Sequence, residues 1–206
     1  MNHPTTHPAE LQLDAPIEVA NWRPAVNWLL DVPHLMIANA LGSVANVLSI
    51  ISWFSIVFTG KLPDGIARFQ CMVLRYEART FSYLIFLRET YPAFEFDMTA
   101  ADPGLDTLRV DITPKLDNRN RLTVAFRLVL VLPILIFTMV VAVVTVLAVV
   151  VAFFMVLLTG RWPQSLRRFV LDSGRLMLRV GAYSRLLHDE YPRFTLHDPQ
   201  ASPVAT

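Results

Sequence analysis

Arginines recur at helical spacing in two stretches of the sequence, one hundred residues apart. The six residues are Arg68, Arg75, Arg79, Arg168, Arg175 and Arg179. Projected at 100° per residue, each set of three falls within a narrow sector of a helix whose remaining surface is mostly apolar. Guanidinium groups bind phosphates and carboxylates through paired hydrogen bonds. These stripes are therefore candidate contacts for anionic lipid headgroups, or for carbonyls and carboxylates of partner helices.

Sequence motifs of enzyme chemistry are missing. The chain has no Gly-rich phosphate loop, no His-Glu-x-x-His and no Gly-x-Ser-x-Gly. Asp31, His34 and Ser49 could be drawn as a triad, but Ser49 lies about 22 Å from His34 along one helix. Cys71 is the single cysteine, so an intrachain disulfide is excluded and a packing role is expected. We therefore expect no enzymatic activity, cofactor or metal site.

Composition points to the membrane. Apolar residues make up 54% of the chain and the mean hydropathy is +0.45, above the range of ordinary soluble domains. The net charge is only +1, too small for the positive field that nucleic-acid binding requires. We expect a lipid bilayer as the main partner, with anionic lipids among its components, and no nucleic acid.

Two long apolar runs predict membrane-spanning helices. Leu35 to Phe58 and Leu128 to Leu158 contain no charged residue, and about 20 such residues suffice to cross a bilayer. The second run would be about 46 Å long as a helix, so it must tilt, kink near Pro133 or leave the membrane.

The two halves match without a gap at an offset of one hundred residues. Identical pairs include Thr59/Thr159, Gly60/Gly160, Pro63/Pro163, Arg68/Arg168, Arg75/Arg175, Arg79/Arg179, Tyr83/Tyr183, Tyr91/Tyr191 and Pro92/Pro192. Shared Thr-Gly, Arg and Tyr-Pro are not explained by hydrophobicity alone, so the chain is an internal duplication.

The duplication divides the chain into five parts. They are a polar N-terminal segment at 1–21, the first repeat at 22–96, a polar connector at 97–121, the second repeat at 122–197 and a disordered tail at 198–206. Each repeat consists of a long apolar helix and an amphipathic, arginine-striped helix. These helices are expected at about 25–58 and 64–89, and at about 122–158 and 164–189.

Small residues mark the turns and the packing face of the first repeat. Gly60, Pro63, Gly160 and Pro163 predict helix-to-helix corners, because Gly closes a helix in the left-handed conformation and Pro suits the first turn of the next. Ala38, Gly42, Ala45 and Ser49 line one side of the first long helix, where they would let another helix approach closely.

The depth of the arginine-striped helices is open between two alternatives. They could lie among the lipid headgroups, which gives two spans, or fold back into the bilayer as helical hairpins, which gives four. The basic flanks of both copies favour one common orientation under the positive-inside rule. We therefore favour hairpins and an all-α integral membrane protein with two to four spans. Short extended segments, "LQLDAP", "FEFDM", "LRVDIT" and "FTLHD", could pair as a small sheet outside the bilayer.

The combined motifs resemble a known bacterial family. "RPAVNWLLDVPHLMI", "WFSIVFTGKLPDGIARFQCMVLRYEARTFSYLIFLRETYPAFEF" and their second-copy counterparts are similar to the "domain of unknown function 4389" family, over about 22–96 and 108–197. The resemblance implies two tandem copies, membrane architecture and an origin among bacteria such as actinobacteria. It implies no catalytic residue.

These observations lead to two functional hypotheses. The first is a non-enzymatic, multi-pass protein of the bacterial inner membrane that acts as an accessory or scaffolding subunit of an envelope complex, with a membrane-protein partner or a second copy of itself. The alternative is a lipid-binding or lipid-handling protein whose arginine stripes hold anionic headgroups.

Overall fold

The computed structural model describes residues 7–104 and 106–196, and these are mostly helical. The helices are α1 (Arg23–Leu30), α2 (Val32–Thr59), α3 (Asp64–Leu84), α4 (Arg121–Ala125), α5 (Arg127–Thr159) and α6 (Gln164–Ser184). Two strands, β1 (Ala9–Leu13) and β2 (Leu108–Ile112), pair with each other. The all-α expectation is therefore corrected by one small sheet. The tail expected at 198–206 lies outside the described residues.

Both Thr-Gly-x-x-Pro stretches form helix-to-helix corners. Gly60 and Gly160 adopt left-handed φ angles of 74° and 67°, which close α2 and α5. Pro63 and Pro163 then occupy the N-cap positions of α3 and α6. The corners are formed as the sequence predicts.

Each long apolar segment begins with a short separate helix. The segment expected at 25–58 is divided at Asp31 into α1 and α2, and that at 122–158 is divided at Phe126 into α4 and α5. Pro33 lies in the first turn of α2, where its ring would clash with a continuing helix and its missing N–H costs nothing.

The arginine-striped helices are shorter than expected. They end at residues 84 and 184 rather than near 89 and 189. Phe86 and Leu186 take φ angles of 48° and 63°, and a left-handed residue stops a helix.

The sheet has one buried face and one polar face. β1 and β2 run antiparallel with Leu11 opposite Val110. The inward residues are Ala9, Leu11, Leu13, Leu108, Val110 and Ile112, and the outer face carries Glu10, Gln12, Asp14, Arg109 and Asp111. "LQLDAP" and "LRVDIT" therefore pair as expected, whereas "FEFDM" forms no strand and "FTLHD" extends beyond the described residues.

The first copy is built in three layers. On α3, Gln70 donates to the Ser49 hydroxyl of α2 (3.2 Å), whereas Arg79 donates to the Leu108 carbonyl of β2 (3.4 Å). Positions 70 and 79 are half a turn apart when each residue advances by 100°. The long helix and the sheet therefore lie on opposite sides of α3.

The second copy repeats this order with α6 in the middle. Arg175 of α6 donates to the Leu11 carbonyl of β1 (3.1 Å), while Val180 packs with Val141 of α5. The main apolar core lies between the layers and includes residues from both strands and from α2, α3, α5 and α6.

The two copies are inverted relative to each other. The Val19 amide, before α1, donates to the Gly160 carbonyl at the end of α5 (2.9 Å), and the Arg119 amide, before α4, donates to the Gly60 carbonyl at the end of α2 (3.2 Å). Each long helix thus begins where the other ends. We expected the copies to share one orientation, but α2 and α5 run antiparallel and the two corners lie at opposite ends of the helical layers.

Candidate functional site: the arginine network and the apolar helix faces

Two of the first-copy arginines, Arg75 and Arg79, bind the segment that follows their own helix. Arg79 donates from Nη1 to the Glu95 carboxylate (2.6 Å) and from Nη2 to Asp102 (2.9 Å). Arg75 donates from Nη2 to the Thr99 carbonyl (3.0 Å) and to the two carbonyls that follow. Both side chains are 3% exposed. Both guanidinium groups are therefore bound to partners within the chain.

Asp102 joins this helix to the sheet. Besides its contact with the arginines, it accepts hydrogen bonds from the backbone N–H groups of Gly104 (2.8 Å) and Val110 (2.7 Å). Nearby, the fully buried Arg88 pairs with Asp106. Burial lowers the pKa of Arg88, and the charge of Asp106 opposes this shift. We had not singled out these acidic residues, although "DPGLDTLRVD" concentrates them beside the strand.

In the second copy, Arg175 binds the strand that precedes the first repeat. Arg175 donates from Nη1 to Asp172 (2.7 Å) in addition to its bond to β1, and Arg179 is also buried. The neighbouring Arg167, which lies outside the predicted stripe, donates to the Ala15 carbonyl. Arg79 and Arg175, one from each stripe, therefore hold the two strands against the helical layer.

The first arginine of each stripe differs from the others in being exposed. Arg68 pairs with Asp64 one turn earlier (2.7 Å), with both side chains about half exposed. Arg168 is also exposed. Of the six candidate headgroup contacts, only these two arginines lie at the surface.

A second cluster of buried charge was missed from the sequence. Asp189 pairs with Arg119 Nε (2.9 Å), Arg127 Nη2 (3.1 Å) and Lys115 Nζ (3.2 Å). Burial alone would raise the pKa of Asp189, but the Arg119 and Lys115 charges outweigh it and the net shift is downward. In the sequence, the charged residues that flank the second apolar run are the signal from which this cluster could have been predicted.

The first copy contains a polar cluster that the second copy lacks. Asp31 and His34 are both fully buried. His34 Nδ1 lies 2.7 Å from the Tyr76 hydroxyl, and its ring stacks on Phe94 at 4.2 Å. Burial raises the pKa of Asp31 to about 6, and Arg88 opposes the shift.

The corresponding positions in the second copy are Val131, Ile134 and Leu176, which pack together in an apolar cluster. Ser49 is not brought to Asp31 and His34, since its hydroxyl donates to the Ala45 carbonyl and accepts from Gln70. Among the described residues, no group of three His, Cys, Asp or Glu side chains could hold a metal ion.

The predicted packing face of α2 meets α3. Ala45 is fully buried against Met72 and Val73, and a Cβ at Gly42 would lie 3.0 Å from a Glu77 carboxylate oxygen. Ser49 contacts Gln70, while Ala38 is half-buried. Small residues here allow the close approach expected of them.

The outer surfaces of α2 and α5 are apolar and uncovered. Exposed side chains include Met36, Val47, Ile50, Phe58, Leu128, Ile136, Met139, Leu147 and Leu158. Both helices are long and apolar enough to cross a membrane, by length and composition. An apolar surface of this extent marks a site of contact with membrane or protein. Multi-pass insertion stays a prediction.

An apolar cavity of about 170 Å³ lies between α3 and α6 beneath the sheet. Its lining includes Leu74, Phe81, Leu108, Val170 and Leu178. At one side, Glu77 of α3 accepts hydrogen bonds from Arg185 (2.7 and 2.9 Å) across the copies.

Comparison with known proteins gives one family. The family described as "Domain of unknown function (DUF4389)" matches residues 25–95 and again residues 121–195. The two matched regions agree with the duplication read from the sequence. No curated protein and no solved structure matches the chain.

Proposed function

The chain belongs to the DUF4389 family in two tandem copies, and from this premise we propose that it is a non-enzymatic accessory or scaffolding subunit of a complex in the bacterial plasma membrane. The observation that supports this role most is the contrast between its arginines and its apolar helices. Four of the six stripe arginines are buried within the fold. The large surface left for contact consists of the apolar faces of α2 and α5.

A scaffold requires a rigid body and a free surface. Rigidity comes from the ion pair of Arg79 and Asp102 and from backbone bonds that hold the N-terminal segment to the second copy, such as Trp162 N–H to the Ile17 carbonyl (3.0 Å). The free surface lies on helices that already pack against α3 and α6 on one side. The opposite side is available to lipid and to a neighbouring membrane protein.

Purification from native membranes tests this proposal. A photo-crosslinking residue at Val143, on the exposed face of α5, and another at Gln12, on the polar face of the sheet, probe the two sides of the molecule. We expect a stoichiometric protein partner in the detergent particle and a discrete protein adduct from at least one probe. A monomeric particle with lipid adducts alone contradicts the proposal, and samples kept dark are the control.

The cavity favours a second candidate function, the handling of an apolar lipid chain. Its walls are almost entirely apolar, and apolar cavities of this size accept hydrocarbon. In this role the buried arginines would hold the cavity walls together, and headgroup contact would be left to other groups.

Filling the cavity distinguishes the two candidates. Gly174 lines the cavity, and a Cβ built there meets no atom within 4 Å, as is also true of the exposed Gly65. Gly174→Leu should abolish lipid retained in native mass spectrometry if a chain occupies the cavity, whereas Gly65→Leu should retain it. Equal lipid occupancy in both variants refutes the lipid-handling role.

A further inference from the structure

We propose that α2 and α5 lie flat within one leaflet of a bilayer, with the sheet facing water, and that neither helix crosses the membrane. The inference rests on membrane association alone and is independent of the accessory role. It replaces the multi-pass insertion that hydropathy suggests.

The first observation is where the sheet lies along the long helices. Gly42 of α2 faces Glu77 of α3, and Arg79, two positions further along α3, bonds to the Leu108 carbonyl of β2. α2 extends from Val32 to Thr59, so residue 42 lies near its centre. The sheet therefore lies opposite the middle of α2, on the far side of α3.

The second copy has the same arrangement. Val131 and Val141 of α5 cluster with Leu176 and Val180 of α6. On its other side, α6 contacts β1 through Arg175. The N-terminal segment continues along α6 from there, since Arg167 bonds to the Ala15 carbonyl. The sheet is thus near the middle of both long helices.

The second observation is the chemistry of the outer sheet face. Gln12, Asp14 and Arg109 are exposed, and Asp111 is half-exposed. If α2 and α5 stood upright, their midpoints would lie at the bilayer centre and these groups would face hydrocarbon. Charged side chains and unpaired backbone groups at sheet edges are both strongly disfavoured there. A sheet with one polar face requires water on that side.

The flat orientation satisfies both sides of the molecule. The sheet faces water, α3 and α6 lie between it and the membrane, and the apolar faces of α2 and α5 enter the hydrocarbon. The ends of this layer present further apolar side chains, with Trp28 of α1 56% exposed and Phe126, between α4 and α5, 63% exposed. Aromatic and apolar residues in such positions are typical of helices that lie in a membrane interface.

The same orientation removes the conflict over the basic flanks. In an upright arrangement, the inverted copies place the Lys61 and Arg161 corners on opposite sides of the membrane. In the flat arrangement both corners, although at opposite ends of the helices, lie at one depth on one side. Both basic segments then face the same compartment, as the positive-inside rule favours.

Single cysteines in sealed vesicles distinguish the orientations. In a Cys71→Ala background, Lys61→Cys, Arg161→Cys and Arg109→Cys place thiols at the two corners and on the outer sheet face, and all three side chains are more than half exposed. With a membrane-impermeant maleimide, we expect all three to react from the same side. Reaction of the two corner cysteines from opposite sides overturns the proposal.

The unmodified chain provides a second measurement. Infrared dichroism of the chain in oriented bilayers of phosphatidylethanolamine and phosphatidylglycerol should show helices mainly parallel to the membrane plane. A mean helix axis close to the membrane normal refutes the flat orientation. If a second copy covers the apolar face instead, the chain should form a dimer that stays in solution without detergent and does not float with vesicles of the same composition. That result also refutes the flat orientation.

Discussion

Replacing Arg79 by glutamine tests whether the arginine stripe is part of the fold. The guanidinium binds Glu95 and Asp102, whose side chains are 10% and 1% exposed. Arg79→Gln keeps the aliphatic stem but removes the positive charge that these carboxylates share. Arg68→Gln is the matched control, because Arg68 belongs to the same stripe and its pair with Asp64 is open to solvent.

The size of the effect follows from burial. Removing one partner of a buried ion pair leaves an uncompensated charge and costs about 3–5 kcal/mol. Asp102 keeps its two backbone donors and a weaker contact with Arg75 at 3.6 Å, so the lower half of that range is expected. The exposed pair of Arg68 contributes only about 0.3–0.5 kcal/mol.

The assay is equilibrium unfolding in detergent, followed by tryptophan fluorescence, with the thermal midpoint as a second readout. For a chain of this size, about 3 kcal/mol corresponds to roughly 6–12 °C in midpoint. We expect this loss for Arg79→Gln and less than about 2 °C for Arg68→Gln. If Arg79→Gln keeps full stability but loses bound anionic lipid, the arginine serves headgroups and the structural interpretation is wrong.

Three further perturbations give distinct outcomes. Asp31→Asn should raise stability above pH 6 by up to about 3 kcal/mol, and the gain should vanish below pH 4 in a pH series of midpoints, because the pKa of Asp31 is raised from 3.8 to about 6. Gly160→Ala should lower the thermal midpoint more than Gly60→Ala does. Both glycines have positive φ, but only at Gly160 would the new Cβ lie 2.5 Å from the Asn21 side-chain oxygen. Equal midpoints would contradict this. Trp162→Phe should cost about 1–3 kcal/mol by denaturant unfolding, because it removes the buried N–H that donates to the Phe86 carbonyl (2.9 Å).

Local patterns in the sequence predicted the helices, corners and duplication well. Gly60 and Gly160 act where a helix must end in a left-handed residue, and that requirement is visible in a few consecutive residues. The hundred-residue offset between the copies is likewise visible in the sequence alone. The alternation in "LQLDAP" and "LRVDIT" also identified both strands, because one face of a strand is buried and the other is polar.

Interactions between distant segments could not be read in this way. The periodicity of Arg75 and Arg79 shows that they share a helix face, but not that the segment from Glu95 to Asp102 covers it. The orientation of the copies was misjudged for a related reason. Hydropathy shows that α2 is apolar but not how it is oriented relative to α5. The inverted orientation is seen only from the backbone bonds of Val19 and Arg119 to the corners of the opposite copies.

The two copies have the same backbone architecture, but the pH dependence of stability that arises at their helix ends has opposite signs. In the first copy, burial raises the pKa of Asp31, so the native state loses stability as pH rises from about 4 to 6. In the second copy, burial and the charge of His7 lower the pKa of His188 to about 3, so stability is lost as pH falls below the ordinary histidine value near 6.5. His188 stands where the first copy has Arg88, and Val131 where it has Asp31. A duplication that kept the corners and stripes thus left its chemical differences at the helix ends, where the pH dependence of stability should arise.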